Sequence, residues 1–175
     1  MKKFFPLLLS LCALWMTSVC LARVASPTLT TLSKRADCIV LAQVESISTE
    51  PPDTRVAISQ VIEVWKEGKG ISGKTVKYRA SPSFACDMST TTVGHLAVLF
   101  LEHDDTNQYL NISYAGRGQM LINTFDGEPY ASLAGVILPE ELEASDKLKP
   151  HRPGEAILAV NVLKEYVIRS LNNRQ

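Results

Sequence analysis

Residues 37–67 read DCIVLAQVESISTEPPDTRVAISQVIEVWKE, and their pattern decides the fold class. Asp37 to Ser48 begins as a continuous apolar run, Cys38-Ile39-Val40-Leu41-Ala42, and ends in alternation. That combination predicts a strand buried on both sides at its start. Glu50-Pro51-Pro52-Asp53 reads as a turn. Arg55 to Glu67 is then rich in β-branched residues and predicts a long second strand.

Working outward, Thr75 to Arg79 alternates, with Val76 and Tyr78 on one face and Lys77 and Arg79 on the other. Ser81-Pro82-Ser83 breaks it, in a loop that carries Cys86. His95 to Glu102 (HLAVLFLE) is nearly all apolar and predicts a central strand. After the polar turn 103–107, Tyr109 to Tyr114 predicts a fifth strand. Five short strands at this spacing point to a small barrel or sandwich. Upstream, Ser26-Pro27 before Thr28 to Arg35 predicts a short helix with a Ser cap. Downstream, Met120 to Leu138 is weakly patterned, with room for a hairpin and a turn at Gly127-Glu128-Pro129. Glu140 to Arg152 reads as a charged loop. Glu155 to Asn172 predicts an amphipathic helix, with Ile157, Val160, Leu163, Val167, Ile168 and Leu171 on one side. That face packs on the strands or, alternatively, holds a partner. The expected fold class is mainly β with flanking helices.

The chain opens MKKFFPLLLSLCALWMTSVCLA: basic Lys2 and Lys3, an apolar core from Phe4 to Met16, and small Ala22 before Arg23. This pattern reads as a secretory signal peptide, residues 1–22, cleaved between Ala22 and Arg23. The core is shorter than the roughly 20 apolar residues that span a bilayer, and no second hydrophobic segment is long enough. Residues 23–175 amount to one domain, divided by pattern into strands over 23–138 and a C-terminal loop and helix over 139–175. Export implies a periplasmic or secreted protein in an oxidising compartment without ATP. The full chain has formal charge zero and the signal removes two lysines, so the mature protein is slightly acidic. It has no electrostatic reason to seek nucleic acid or an anionic membrane.

Four cysteines depend on the cleavage point. Cys12 leaves with the signal, Cys20 stands just before the cut, and Cys38 and Cys86 remain. Two thiols in an oxidising compartment are expected to pair; the alternative is two buried, unpaired cysteines. A lipoprotein cut before Cys20 would give a lipidated N-terminus, but Val19 stands where that pathway prefers a small side chain.

The residues from Gly68 to Thr75, GKGISGKT, satisfy the phosphate-cradling pattern GxxxxGK[ST]. That chemistry needs a helix N-terminus after the loop, whereas Thr75-Val76-Lys77-Tyr78 alternates like a strand. The segment reads instead as a flexible basic loop, and no nucleotide or other cofactor is expected. His95 and His103 flank one strand, with Asp104 and Asp105 beside them as possible oxygen ligands, but no metal spacing is present. No HExxH or GxSxG is found. Asn111-Ile112-Ser113 fits a glycosylation sequon in a strand position. Trp65 and Tyr78 read as core aromatics more readily than as a binding platform.

The succession ADCIVLAQV, VIEVWKEGKG, KTVKYRASPSFAC and VGHLAVLFLE resembles the netrin-like module shared with tissue inhibitors of metalloproteinases and with bacterial secreted proteins. The resemblance covers roughly Leu29 to Tyr114. It implies a five-stranded OB-type β-barrel, with Cys86 at the position of the family's loop cysteine. The inhibitors carry Cys-x-Cys at the mature N-terminus; here that end is Arg23, and even a cut before Cys20 gives Cys-Leu-Ala. The resemblance therefore carries over no inhibitory residue. The expected function is an exported, non-enzymatic module that binds another protein in the envelope or outside the cell. Its candidate contacts are Lys69 and Lys74 around the Gly68–Gly73 loop, and Arg117 in the Arg117-Gly118 turn. The alternatives are a metalloproteinase inhibitor headed by Cys20, and an envelope enzyme or metal-binding protein using His95, His103 and Asp104.

Overall fold

Alternation and β-branching resolve, in a computed structural model, into a hairpin of two long strands, β1 (Cys38–Glu50) and β2 (Thr54–Lys66). The structure describes residues 25–51, 53–80, 89–103, 109–153 and 155–173. The signal segment 1–22, Arg23, Cys86 and Asp104 therefore lie outside the described residues, as does the expected Cys38–Cys86 bridge.

Ahead of the hairpin stands α1 (Leu29–Arg35). Its N-cap is Thr28 and not the expected Ser26: the Thr28 hydroxyl accepts from Thr31 N at 3.0 Å. After it come β3 (Ile71–Ser72), β4 (Thr75–Arg79), β5 (Leu96–Glu102), β6 (Asn111–Ile112), β7 (Gln119–Phe125) and β8 (Glu128–Ser132). The chain ends with α2 (Glu140–Glu143), β9 (Leu148–Arg152), β10 (Glu155–Ala159) and α3 (Val160–Asn172). The strands form one antiparallel sheet in the order β3-β4-β2-β1-β5-β7-β8-β10-β9, with β6 also on β5. The protein is thus mainly β with a C-terminal helix, and the sheet is not closed by a continuous ladder. No helix among the described residues is long and apolar enough to cross a membrane.

The apolar run in β1 has a direct cause: both faces are covered. Cys38, Val40, Ala42 and Val44 pack on one side with Val76, Tyr78, Leu99, Leu110 and Ile112. Ile39 points the other way, joining Val98 and Phe100 of β5 under Leu29 and Leu32 of α1 and Leu163 and Val167 of α3. Across the far end of the first face, Arg79 N donates to Leu110 O at 2.8 Å, and Tyr78 and Leu110 form an isolated parallel bridge.

Two expected elements change. The fifth strand, expected over Tyr109 to Tyr114, stops at Ile112. Tyr114, Ala115 and Gly116 take left-handed backbone angles (φ 50, 54 and 85°), which no strand continues. The strand resumes as β7 on the same edge of β5, and both ends of the excursion are pinned to Phe100. The helix expected from Glu155 starts only at Val160. Ile157, Leu158 and Ala159 instead pair with Ser132, Ala131 and Tyr130 of β8. A continuous apolar stretch such as Ala-Ile-Leu-Ala-Val suits either element, and the open edge of β8 decides it. The charged loop expected over Glu140 to Arg152 likewise holds α2 and β9, because β9 pairs with β10. The region after Leu138 thus supplies two strands to the sheet besides its helix. The Met120–Leu138 hairpin is present as β7–β8, turning at Asp126-Gly127 (φ 53 and 81°), the φ > 0 pair of a tight hairpin turn.

Candidate functional site

The sequence loop Gly68–Gly73 borders a groove whose other wall is the end of β2. β4 pairs with β2 only from Val56 to Gln60, and Val61 N then donates to Lys74 O at 2.8 Å. Beyond that, Ile62 to Lys66 has no strand partner on this edge among the described residues. The cause is local. The β1–β2 register slips where Leu41 and Ala42 face Glu63 and Val61, and again where Ile39 and Val40 face Lys66 and Val64. Ile62 and Trp65 are therefore bulge residues, and each bulge reverses the alternation and bends the strand. Trp65 turns into the core beneath α3, whereas Ile62 and Val64 are left 56% and 40% exposed.

Two adjoining hollows of about 360 and 310 Å³ occupy this region. The first is lined by Gln60 to Val64, Gly73 and Lys74, the second by Val64, Glu67, Gly68, Ile71 and Gly73. The loop is held close at two points. A Cβ on Gly68 would stand 2.7 Å from the carbonyl carbon of Asp37, and one on Gly70 2.6 Å from Leu110 Cδ1. The rest of the loop stays open: nothing lies within 4 Å of a Cβ at Gly73. Lys69 and Lys74 are both exposed, with no ion pair among the described residues.

The charges around the groove are unequal. Glu63 is taken by Lys164 of α3 and by the Trp65 indole N–H, which donates at 3.0 Å. Those two partners hold its carboxyl below the usual carboxylate range. Lys66 turns away from the groove: its ammonium donates to the carbonyls of Ser33, Lys34 and Ala36, closing the C-terminus of α1. Among the described residues, Lys69, Lys74 and Glu67 remain without a partner.

The other expected residues are scattered. Arg117 is half-buried, with its Nε and Nη1 inside the protein and unpaired among the described residues, packed where a Cβ on Gly135 would meet Nε at 3.1 Å. Two of its guanidinium nitrogens are therefore withheld from a partner, unlike the exposed Lys69 and Lys74. Cys38 is buried with no disulfide partner among the described residues, and its thiol is pushed up to about 11 chiefly by desolvation. His95 and His103 stand just outside opposite ends of β5, about 25 Å apart at the rise of a strand. His95 has a buried Nδ1 without a partner among the described residues, and His103 N donates to Asp37 Oδ2. Among the described residues no group of three metal-ligating side chains comes together. Tyr78 is an interior residue, its hydroxyl 3.3 Å from Ser59 Oγ.

A separate hollow, about 440 Å³, lies between the segment after β8 and the β9–β10 hairpin, lined by Leu133, Val136, Leu138, Leu148 and Pro150 with Arg152 and Glu155. Sequence reasoning found the glycine loop but missed the exposed edge beside it. The signal was there in Val61-Ile62-Glu63-Val64-Trp65: adjacent apolar residues break the two-residue period and mark a bulge. No protein-family model matches this chain, and no curated protein matches it at significance.

Proposed function

We propose that this chain is an exported, non-enzymatic binding module, built on an OB-type barrel, that holds another protein at the groove between β2 and the Gly68–Gly73 loop. The barrel reading draws on the strand order β4-β2-β1-β5-β6 and on the Tyr78–Leu110 bridge, which brings β4 alongside the chain entering β6. The export reading draws on residues 1–22 alone. The binding reading rests on one observation: Ile62 and Val64 are exposed apolar residues on an unpaired strand edge, with a hollow in front of them. Soluble proteins manage such edges or use them.

A photo-crosslinking residue at position 62, introduced into the protein in the cells that make it, tests the reading. The expected result is one dominant protein adduct, competed by added wild-type protein and missing when the crosslinker stands at exposed Asp126. Equal labelling from both positions, or none from position 62, would overturn it.

A further inference from the structure

The groove is more specific than a sticky patch. We propose that it takes an extended, acidic segment of the partner, added as a strand to the β2 edge over Ile62–Lys66; this rests on the binding reading above.

Three observations carry the proposal together. The first is the edge itself. β4 leaves β2 after Gln60, and the described residues offer no replacement over Ile62 to Lys66. An extended peptide is the ligand whose main-chain groups meet a strand edge. The second is the pair of apolar side chains: Ile62 and Val64, at 56% and 40% exposure, await apolar side chains from an added strand. The available length suits about five residues, roughly 17 Å of strand.

The third is charge. Lys74 lines the groove and Lys69 is exposed on the same loop, neither with an ion pair among the described residues, while the nearby carboxylate of Glu63 is already occupied by Lys164. Among the described residues Glu67 is the one unpaired acid in the lining and is matched by Lys74, so Lys69 on the adjoining loop tips the balance of free charge toward an anionic segment. The same lysines argue against a second copy of this chain: edge-to-edge pairing about a two-fold axis would bring the two loops' lysines together.

The test is an amide-resolved NMR titration of the mature protein with two end-blocked peptides, Glu-Val-Glu-Val-Glu and Lys-Val-Lys-Val-Lys. The acidic peptide is expected to shift the amides of Ile62 to Lys66, Gly73 and Lys74, binding in about the millimolar range. The lysine peptide should bind at least about tenfold more weakly, as should the acidic peptide to Lys69→Glu/Lys74→Glu. If that variant misfolds, salt serves instead: acidic-peptide affinity for the wild-type protein must fall as ionic strength rises. Equal response to both peptides, insensitivity to salt, shifts confined to the Leu133–Pro150 hollow, or no shift at all would each overturn the proposal. If the position-62 adduct persists in such a case, only the strand-addition mode fails. If the adduct is also lost, the binding reading fails with it.

Discussion

Replacing Gly68 by alanine probes the wall of the groove. A Cβ there would stand 2.7 Å from the Asp37 carbonyl carbon and 3.2 Å from Cys38 Cβ. Carbon pairs are at ease at about 3.5–4.0 Å, so either the loop or the start of β1 must move by about 1 Å. Neither gives easily. Asp37 N is bonded to Leu101 O, and Cys38 is buried against β5. Overpacking against fixed backbone costs about 1–3 kcal/mol and sometimes more; with the Asp37 carbonyl directly in the way we expect about 3 kcal/mol. Equilibrium urea unfolding should show a lower midpoint with an unchanged slope. Thermal melting should fall by several degrees, at about 2–4 °C per kcal/mol for a chain of this size. Gly73→Ala is the internal comparison. It meets no atom within 4 Å and suffers only from φ +60°, so it should cost about 1–2 kcal/mol. Lys74→Ala, on an exposed unpaired side chain, should stay within about 0.5 kcal/mol. A Gly68→Ala loss below about 1 kcal/mol, or no larger than that of Gly73→Ala, would refute the packing of loop on strand.

Lys66→Met should destabilise by about 2 kcal/mol, because three carbonyls at the end of α1 lose a charged donor; a urea midpoint matching wild type would contradict that capping role. Glu63 and Glu50 both have carboxyls held below their ordinary range by lysine partners, and such groups stabilise the fold above the unfolded value near about 4.3. That stability is lost as pH falls through the lower folded value, and the acid limb of the stability curve should be shallower in Glu63→Gln. The intact mass of the protein recovered from the cells that make it should correspond to a chain beginning at Arg23. A chain headed by lipidated Cys20 would replace that reading, and one headed by free Cys20 would revive the inhibitor alternative.

The strands with strong period-two or continuous apolar patterns were legible from the residues alone. Thr75–Arg79 matches β4 at both ends, and the bounds of β1, β2 and β5 fall within two residues of expectation. Elsewhere the outcome depends on distant partners. Residues 155–159 become strand because β8 offers an edge, a fact encoded at Tyr130–Ser132 and not locally. On α3 the expected Ile168 is 37% exposed, while Tyr166 is buried with its hydroxyl on Thr30 Oγ1 at 2.6 Å. A tyrosine on a polar-looking face gives no warning of a hydroxyl partner so far along the chain. In the site, glycine spacing marked the loop. The edge opposite came from two register slips against β1; the broken period at Val61–Trp65 hints at a bulge, but which residues it leaves exposed depends on the pairing with β1.

The most direct test of the binding claim is Val64→Asp, in the protein that carries the crosslinker at position 62. Val64 is 40% exposed, so the variant should be exported and melt close to the parent. The apolar floor of the groove would then hold a charge, and the position-62 adduct should drop at least about tenfold. An undiminished adduct from the folded variant would contradict binding along this edge.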